Sequence, residues 1–416
     1  MQSLGCASSG CARDFDWCAT KEKRMRPLAG IKVLDMSRVL AGPFAGRILS
    51  DLGAEVVKLE PPEGDVTRSW GTVRAGLAGY YTQQNVGKRN VCIDLRLEGG
   101  AELVKELAKT ADVLVENFRP GVMKKYGLDY EALEKLNPKL VMLSISGFGQ
   151  EGPESGRAAY APILHGESGW LQRVSAWNDQ PIIDLNLSAA DTNASLHGTI
   201  GLLAALRVAE ATGQGQHIDM CMLDAFLATD DASHVGLDGG KYAAAGGLVW
   251  EAVGGPILTA GDFRWVWKRL SEVHGLEDPS PPGAEVQAKR LARTTIIQEF
   301  LCSFASREEM LVALDKSNLA WGHIKTTNEA YDSPTSVYRA NSIEIDARDG
   351  GKRKVSQTPY KFSQSKSGLE DDAVAPYRGE HNQTVLAEWL GAGEQEIRAL
   401  SSSGILLSED YVVEEN

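Results

Sequence analysis

No apolar run in this sequence approaches the ~20 residues a membrane-spanning helix requires, so no bilayer partner is expected. Positive charge is in deficit: 43 Lys and Arg face 56 Asp and Glu, a formal net charge of −13. A general nucleic-acid binder carries the opposite balance, and an anionic substrate would need a local basic patch here. Cysteine is sparse, with Cys6, Cys11, Cys18, Cys92, Cys221 and Cys302 the six in the chain. None forms a Cys-x-x-Cys pair or joins histidine at zinc-finger spacing, so no metal site is expected. Cys92, Cys221 and Cys302 lie in apolar or alternating segments and read as reduced packing residues of a cytoplasmic protein. The first 24 residues lack a signal-peptide apolar core, and Met25 directly precedes the first patterned segment. Residues 1–24 therefore read as a disordered extension, or as lying ahead of the native start.

What is present is an ordinary globular composition, 43% hydrophobic and 24% charged, in 416 residues. That length suits two domains with a sizeable core. Residues 31–36 are a short β-branched run, followed by a Gly-Pro turn, a helical segment at 44–52, Gly53 and a second strand at 54–59. Strand, helix, strand is a βαβ unit and implies a parallel sheet. The unit lacks the Gly-x-Gly-x-x-Gly fingerprint, so a nicotinamide or flavin dinucleotide is not supported. Residues 37–43 still sit beyond the carboxyl end of a strand, where open α/β sheets bind ligands. Further strands read at 90–95, 112–116 and 140–146, with an amphipathic helix at 98–110. A Gly- and Ala-rich stretch at 230–255 reads as a flexible linker. Helical patterns follow at 265–273, 286–304 and 307–317, then strand character near 342–345 and helix across 387–406.

The stretch around which the chain is organised runs from 188 to 222. Asp191 stands ahead of Leu196, Ile200, Leu203 and Leu206, apolar residues at helical spacing that predict one buried face. Gly213 and Gly215 stop the helix, and 216–222 alternates as a half-buried strand would. A carboxylate at a helix start is either a cap or, among unpaired backbone N–H groups, a poised nucleophile. Gly166-Glu167-Ser168-Gly169 misses the Gly-x-Ser-x-Gly elbow by one residue, so serine hydrolysis has little support.

LAGIKVLDMSRVLAGPFAGRILSDLGAEVVKLE (28–60), GKRNVCIDLR (87–96), ADVLVENFRPGVMKKYGLDYEAL (111–133), GQGQHIDMCMLDA (213–225), PYKFS (359–363) and RGEHNQTVL (378–386) together resemble one family. It is the class III CoA-transferases, which includes formyl-CoA and carnitine CoA-transferases and α-methylacyl-CoA racemases. The resemblance implies a Rossmann-like large α/β domain with a parallel sheet, drawn from 25–225 and 334–416. It also implies a smaller, mainly helical domain at 226–333, a lid in the Gly-rich stretch at 230–255, and an interlocked dimer. CoA would meet the 37–43 loop (Arg38, Ala41), with Lys88 and Arg89 on its phosphates and Lys125 where the family has an arginine. Arg38 and Leu40 stand where the formyl-CoA enzyme has His and Gln.

The family nucleophile falls on Asp191. Racemases carry a His-Asp pair where this chain has Tyr160-Ala161, and a phenol of ordinary pKa ~10 is a poor proton acceptor near neutrality. Transferases have Tyr followed by Glu, so Tyr160 fits transfer while Ala161 lacks the acid. Glu167 and His165 are the candidates to replace it. The implied reaction moves CoA from an acyl-CoA, with succinyl-CoA the family's habitual donor, to a free carboxylic acid through an aspartyl anhydride and an aspartyl-CoA thioester. It needs no cofactor, CoA being a substrate. The rival readings are an acyl-CoA racemase or isomerase, and a CoA-binding non-catalytic subunit beside a related second subunit.

Overall fold

The computed structural model describes residues 25–178, 180–184, 186–240 and 247–409. The expected extension at 1–24 with its three cysteines, residues 241–246 of the Gly-rich stretch and the acidic tail beyond 409 lie outside them. The chain forms two compact units. The first draws its described residues from Met1–Ile145, Gly198–Ile218 and Glu344–Asn416; the second comprises Ser146–His197 and Asp219–Ile343. Residues 146–197, expected in the large domain, thus group with the second unit.

The first unit is built on a sheet of six strands: β1 (Lys32–Asp35), β2 (Glu55–Glu60), β3 (Arg89–Cys92), β4 (Val113–Glu116), β5 (Val141–Ser146) and β6 (His217–Cys221). Their order is β3-β2-β1-β4-β5-β6. β1 pairs in parallel with β2 and β4, β2 with β3, and β4 with β5. The order reverses between β1 and β4, which is the switch point where doubly wound sheets open a crevice. α1 (Ala41–Asp51) connects β1 to β2 and is buried along nearly its whole length. α2 (Gly79–Asn85) lies against α1, and α3 (Gly100–Thr110) buries Leu103, Val104 and Leu107 on the sheet. The short helix α4 (Val122–Lys125) follows β4. The core joins β-branched and Leu side chains of β1–β4 to α3 and to Val385, Leu386 and Trp389 of the returning C-terminal segment. The expected C-terminal helix is two helices, Asn382–Leu390 and Glu394–Ser402, broken at Gly391 with φ 70°.

In the second unit, α5 (Ala161–Glu167) and α6 (Ala189–Thr212, whose C-terminal half belongs to the first unit) carry the sequence's candidate catalytic region. The rest of this unit is mainly helical among its described residues, as expected, but it also holds a small sheet that was not expected. Leu248–Trp250, Ile257–Thr259 and Trp321–His323 form an antiparallel three-stranded sheet, packed with helices Phe263–His274, Val286–Cys302 and Arg307–Lys316. The strands escape the pattern because each is three residues long, too short to show alternation. Gly254-Gly255, read as linker or lid, is the turn between the first two strands, with φ of 74° and 105°; Arg307 donates to the Gly255 carbonyl.

α6 also corrects the expected buried face. Leu196, Ile200 and Leu203 are exposed, Ile200 by 64%, whereas Ala190, Ala194, Thr199, Leu202, Ala205 and Ala209 are buried. The helix lies close on the sheet through its small residues: a Cβ at Gly198 would stand 3.0 Å from Leu143. Leu206, expected inward, is indeed buried, so the buried face mixes small residues with Leu202 and Leu206.

Candidate active site

At the carboxyl ends of β1, β2, β3 and β4 the first unit opens a cleft of about 560 Å³. Its walls come from the turns after each strand: Met36–Arg38, Leu59–Val66, Ile93–Arg96, and Phe118 with Val122, Met123 and Tyr126. Apolar and aromatic side chains dominate, with Arg38, Arg96 and the buried Lys58 as its cations. Arg96 is engaged by Glu63 at 2.5 Å and Asp94 at 2.8 Å, while the Arg38 guanidinium lies 5.9 Å from the Phe118 ring centroid. Lys125 projects, exposed, from α4 beside the cleft-lining Tyr126. Ala41 opens α1 immediately after the loop and is buried.

The loop itself is under strain and firmly held. Val39 has φ 68°, a left-handed conformation that a β-branched residue rarely adopts and that costs roughly 1–3 kcal/mol. Its N–H donates to Asp65 at 3.1 Å, and Asn117 bonds both the N–H and the C=O of Arg38 at 2.8 Å. Beneath the loop, Lys58 donates to the Ser37 carbonyl at 2.7 Å and lies 3.3 Å from Asp65. Asp35, the last residue of β1, accepts from Ser37 and from Lys88 at 2.8 Å. A Cβ at Gly46 would meet the Asp35 carboxylate at 2.7 Å, so only glycine lets α1 pack over this pair. Burial alone would raise the Asp35 pKa, but Lys88 and Lys58 together hold it below its ordinary value. Burial pushes Lys88 down to about 8 against the pull of Asp35, which leaves it charged at neutrality. A second buried group joins the first: Glu60 accepts from Arg68, Tyr81 and Asn90, each within 2.8 Å. Burial opposes its ionisation, yet Arg68, Lys58 and the Tyr81 hydroxyl bring its pKa down to about 2.

Two residues expected to contact CoA, Lys88 and Arg89, bond carboxylates of the chain itself. Lys88 is buried with its three N–H donors on Asp35, the Pro43 carbonyl and Asn85, all at 2.8–2.9 Å. It braces the loop from below and does not line the cleft. Arg89 starts β3 and turns away from that strand's carboxyl end, to Glu55 at 2.7 Å and to Glu388 at 2.6 Å. The buried network was missed at the sequence level. Its signal was there: Asp35, Lys58 and Glu60 interrupt otherwise apolar strands.

Asp191 is the third residue of α6 and is half-buried. It stands inside the first turn, where a negative charge is favoured by the helix dipole, rather than at the preceding cap. Thr192 and Asn193 turn their side chains back to the carbonyl of Ala189, and the Ser195 hydroxyl donates to the Asp191 carbonyl at 2.8 Å. Tyr160 is the residue before α5 and is 67% exposed. Of the candidates for the missing acid, Glu167 is exposed and paired with Arg157 at 2.6 Å. His165 is fully buried, with Nδ1 2.8 Å from Asp184 and Nε2 accepting from the Ala190 N–H at 3.3 Å. Among the described residues no group of three or more His, Cys, Asp or Glu side chains could hold a metal ion, and no helix is long and apolar enough to cross a membrane.

Comparison with known proteins joins these observations. The chain is 36% identical to a succinate–glutarate CoA-transferase of Agrobacterium fabrum over 391 residues, 88% of this chain and 96% of that protein. It is 33% identical to the succinyl-CoA–L-malate CoA-transferase alpha subunit of Chloroflexus aurantiacus over 402 residues, 91% of this chain and 92% of that one. The crystal structure of a CAIB/BAIF family protein from Brucella suis superposes with a TM-score of 0.76 at 32% identity, covering 88% of this chain and 100% of that one. Residues 28–382 match the profile of CoA-transferase family III, and the chain belongs to that family of CoA-transferases.

Proposed function

We propose that the protein moves CoA from succinyl-CoA or a similar acyl-CoA to a free carboxylic acid, with Asp191 as the nucleophile. The observation that carries this reading is a half-buried carboxylate in the first turn of α6 in a member of CoA-transferase family III. Transfer between two carboxylates has little driving force, so the thioester's energy must be kept in covalent form. A carboxylate oxygen of Asp191 attacks the donor carbonyl, the C–S bond breaks, and a mixed anhydride and CoA thiolate result. The thiolate attacks the aspartyl carbonyl, releasing the donor acid and leaving an aspartyl-CoA thioester. The acceptor carboxylate displaces CoA from that thioester, and the thiolate then takes the acceptor's acyl group and frees Asp191. N–H groups at the start of α6 are the donors nearest in sequence for the tetrahedral oxyanions. CoA enters as a substrate, with Arg38 and Lys125 at the cleft offering positive charge to its phosphates and Ala41 closing the loop behind. Lys88 and Arg89 serve this site through the fold. Tyr160, a phenol in place of a basic imidazole, supports transfer over racemisation.

A relative named as an alpha subunit favours a second reading, in which this chain works beside a related subunit. The exposed apolar face of α6 suits a second chain, and a second copy in an interlocked dimer is the occupant we favour. Purified protein incubated with succinyl-CoA and a panel of dicarboxylic and branched acids should generate new acyl-CoAs without added partner. Sedimentation should give a dimer. Activity that appears only with a co-purifying homologue would support the two-subunit reading, and α-proton exchange in deuterated water without transfer would support an isomerase.

A further inference from the structure

We infer that His165, oriented by Asp184, is a positioning residue that fixes the first turn of α6 and so aims the Asp191 carboxylate. The inference rests on the reading of Asp191 as nucleophile.

His165 is fully buried in the second unit, yet both of its ring nitrogens are used. The backbone N–H of Ala190 meets Nε2 at 3.3 Å, and Nδ1 lies 2.8 Å from the Asp184 carboxylate. An amide N–H can only donate, so Nε2 is the acceptor and carries no proton. The one N–H of the neutral ring is then on Nδ1 and donates to Asp184, which settles both the tautomer and the ring's orientation.

The consequence lies one residue further on. A helix start leaves backbone N–H groups without intrahelical partners, and a side chain just ahead of the helix ordinarily meets one of them. Here the partner of Ala190 comes from a different helix. Ala190 is itself fully buried, so water cannot replace the imidazole. Trp170 and Phe226 flank the ring at centroid distances of 5.7 and 5.2 Å and hold it in place. The peptide linked to Asp191 is therefore tied to α5, the helix that Tyr160 precedes. Attack by a carboxylate needs the oxygen placed to a fraction of an ångström, and loss of such placement costs up to ~10²-fold.

The test compares His165→Met, which keeps the bulk without a nitrogen acceptor, with His165→Gln, whose amide oxygen reaches the position of Nε2. With succinyl-CoA, H165M should lower kcat roughly 10- to 100-fold at unchanged KM, and H165Q should recover most of it. H165M with wild-type kcat, or both variants equally impaired, overturns the inference. Should H165M not fold, Asp184→Asn carries the test, with a kcat loss at unchanged KM expected and wild-type kcat overturning it. Long-range 15N NMR of the wild-type imidazole gives a reading independent of turnover: a proton on Nδ1 is expected, and one on Nε2 contradicts the inference. Asp191→Asn is measured alongside. If it retains activity, the nucleophile reading fails, whereas a dead D191N beside a fully active H165M removes the positioning role alone.

Discussion

The buried ionic network of the first unit and the start of α6 in the second hold their carboxylates in different settings. In the first, Asp35, Lys58, Glu60 and Lys88 are buried and every one is paired, so the strained 37–41 loop rests on a saturated ionic lattice. In the second, Asp191 stays half-buried in the first turn of a helix whose start is tied by a neutral imidazole. Buried charges that are fully paired keep a shape, and each becomes costly when its partner is lost. On the proposed function, the first set serves stability and Asp191 serves chemistry.

Substitutions can break that assignment. Asp191→Asn should remove about 10⁴-fold or more of kcat, roughly 5 kcal/mol of barrier, with the melting temperature unchanged. Lys88→Met should do the reverse, leaving Asp35 buried without its partner and costing about 3–5 kcal/mol of unfolding free energy in urea. A stable K88M that fails only in turnover would return Lys88 to the substrate.

Acid sharpens the same comparison. The folded pKa of Glu60 lies near 2, below its ordinary value of 4.5, and that of Asp35 lies below 3.8. Both therefore contribute stability that is full above the ordinary carboxylate range and is lost as pH falls through the folded values. For Glu60 the contribution is roughly 3 kcal/mol, and Glu60→Gln should flatten stability against pH between about 4.5 and 2. The smallest effect belongs to the cleft mouth. Arg38→Ala should raise KM for acyl-CoA by about three- to fivefold with kcat kept, since an exposed charge contributes about 1 kcal/mol or less.

Much of the first unit was legible in the sequence because β-branched runs alternate there with a Gly-Pro turn and amphipathic helices. The strands at 31–36, 54–59 and 140–146 fall within a residue or so of the observed ones. The three-residue strands of the second unit carry no period and were not readable. α6 misled for a physical reason: hydrophobic spacing marks an apolar face but not which neighbour covers it, and here the buried face mixes small residues with Leu202 and Leu206. The ion pairs of Lys88 and Arg89 were not legible, because a basic pair at a strand entrance looks the same whether it meets phosphate or a carboxylate of the same chain. The His165–Asp184 contact spans 19 residues with no local signature, so only the fold could reveal it.

The most direct measurement traps the covalent intermediate. The purified protein is incubated with succinyl-CoA and hydroxylamine, and its peptides are mapped by mass spectrometry. A hydroxamate on Asp191, absent without the donor, is the predicted result. Full CoA transfer to an acceptor acid with no adduct on Asp191, and with D191N still active, would contradict the account.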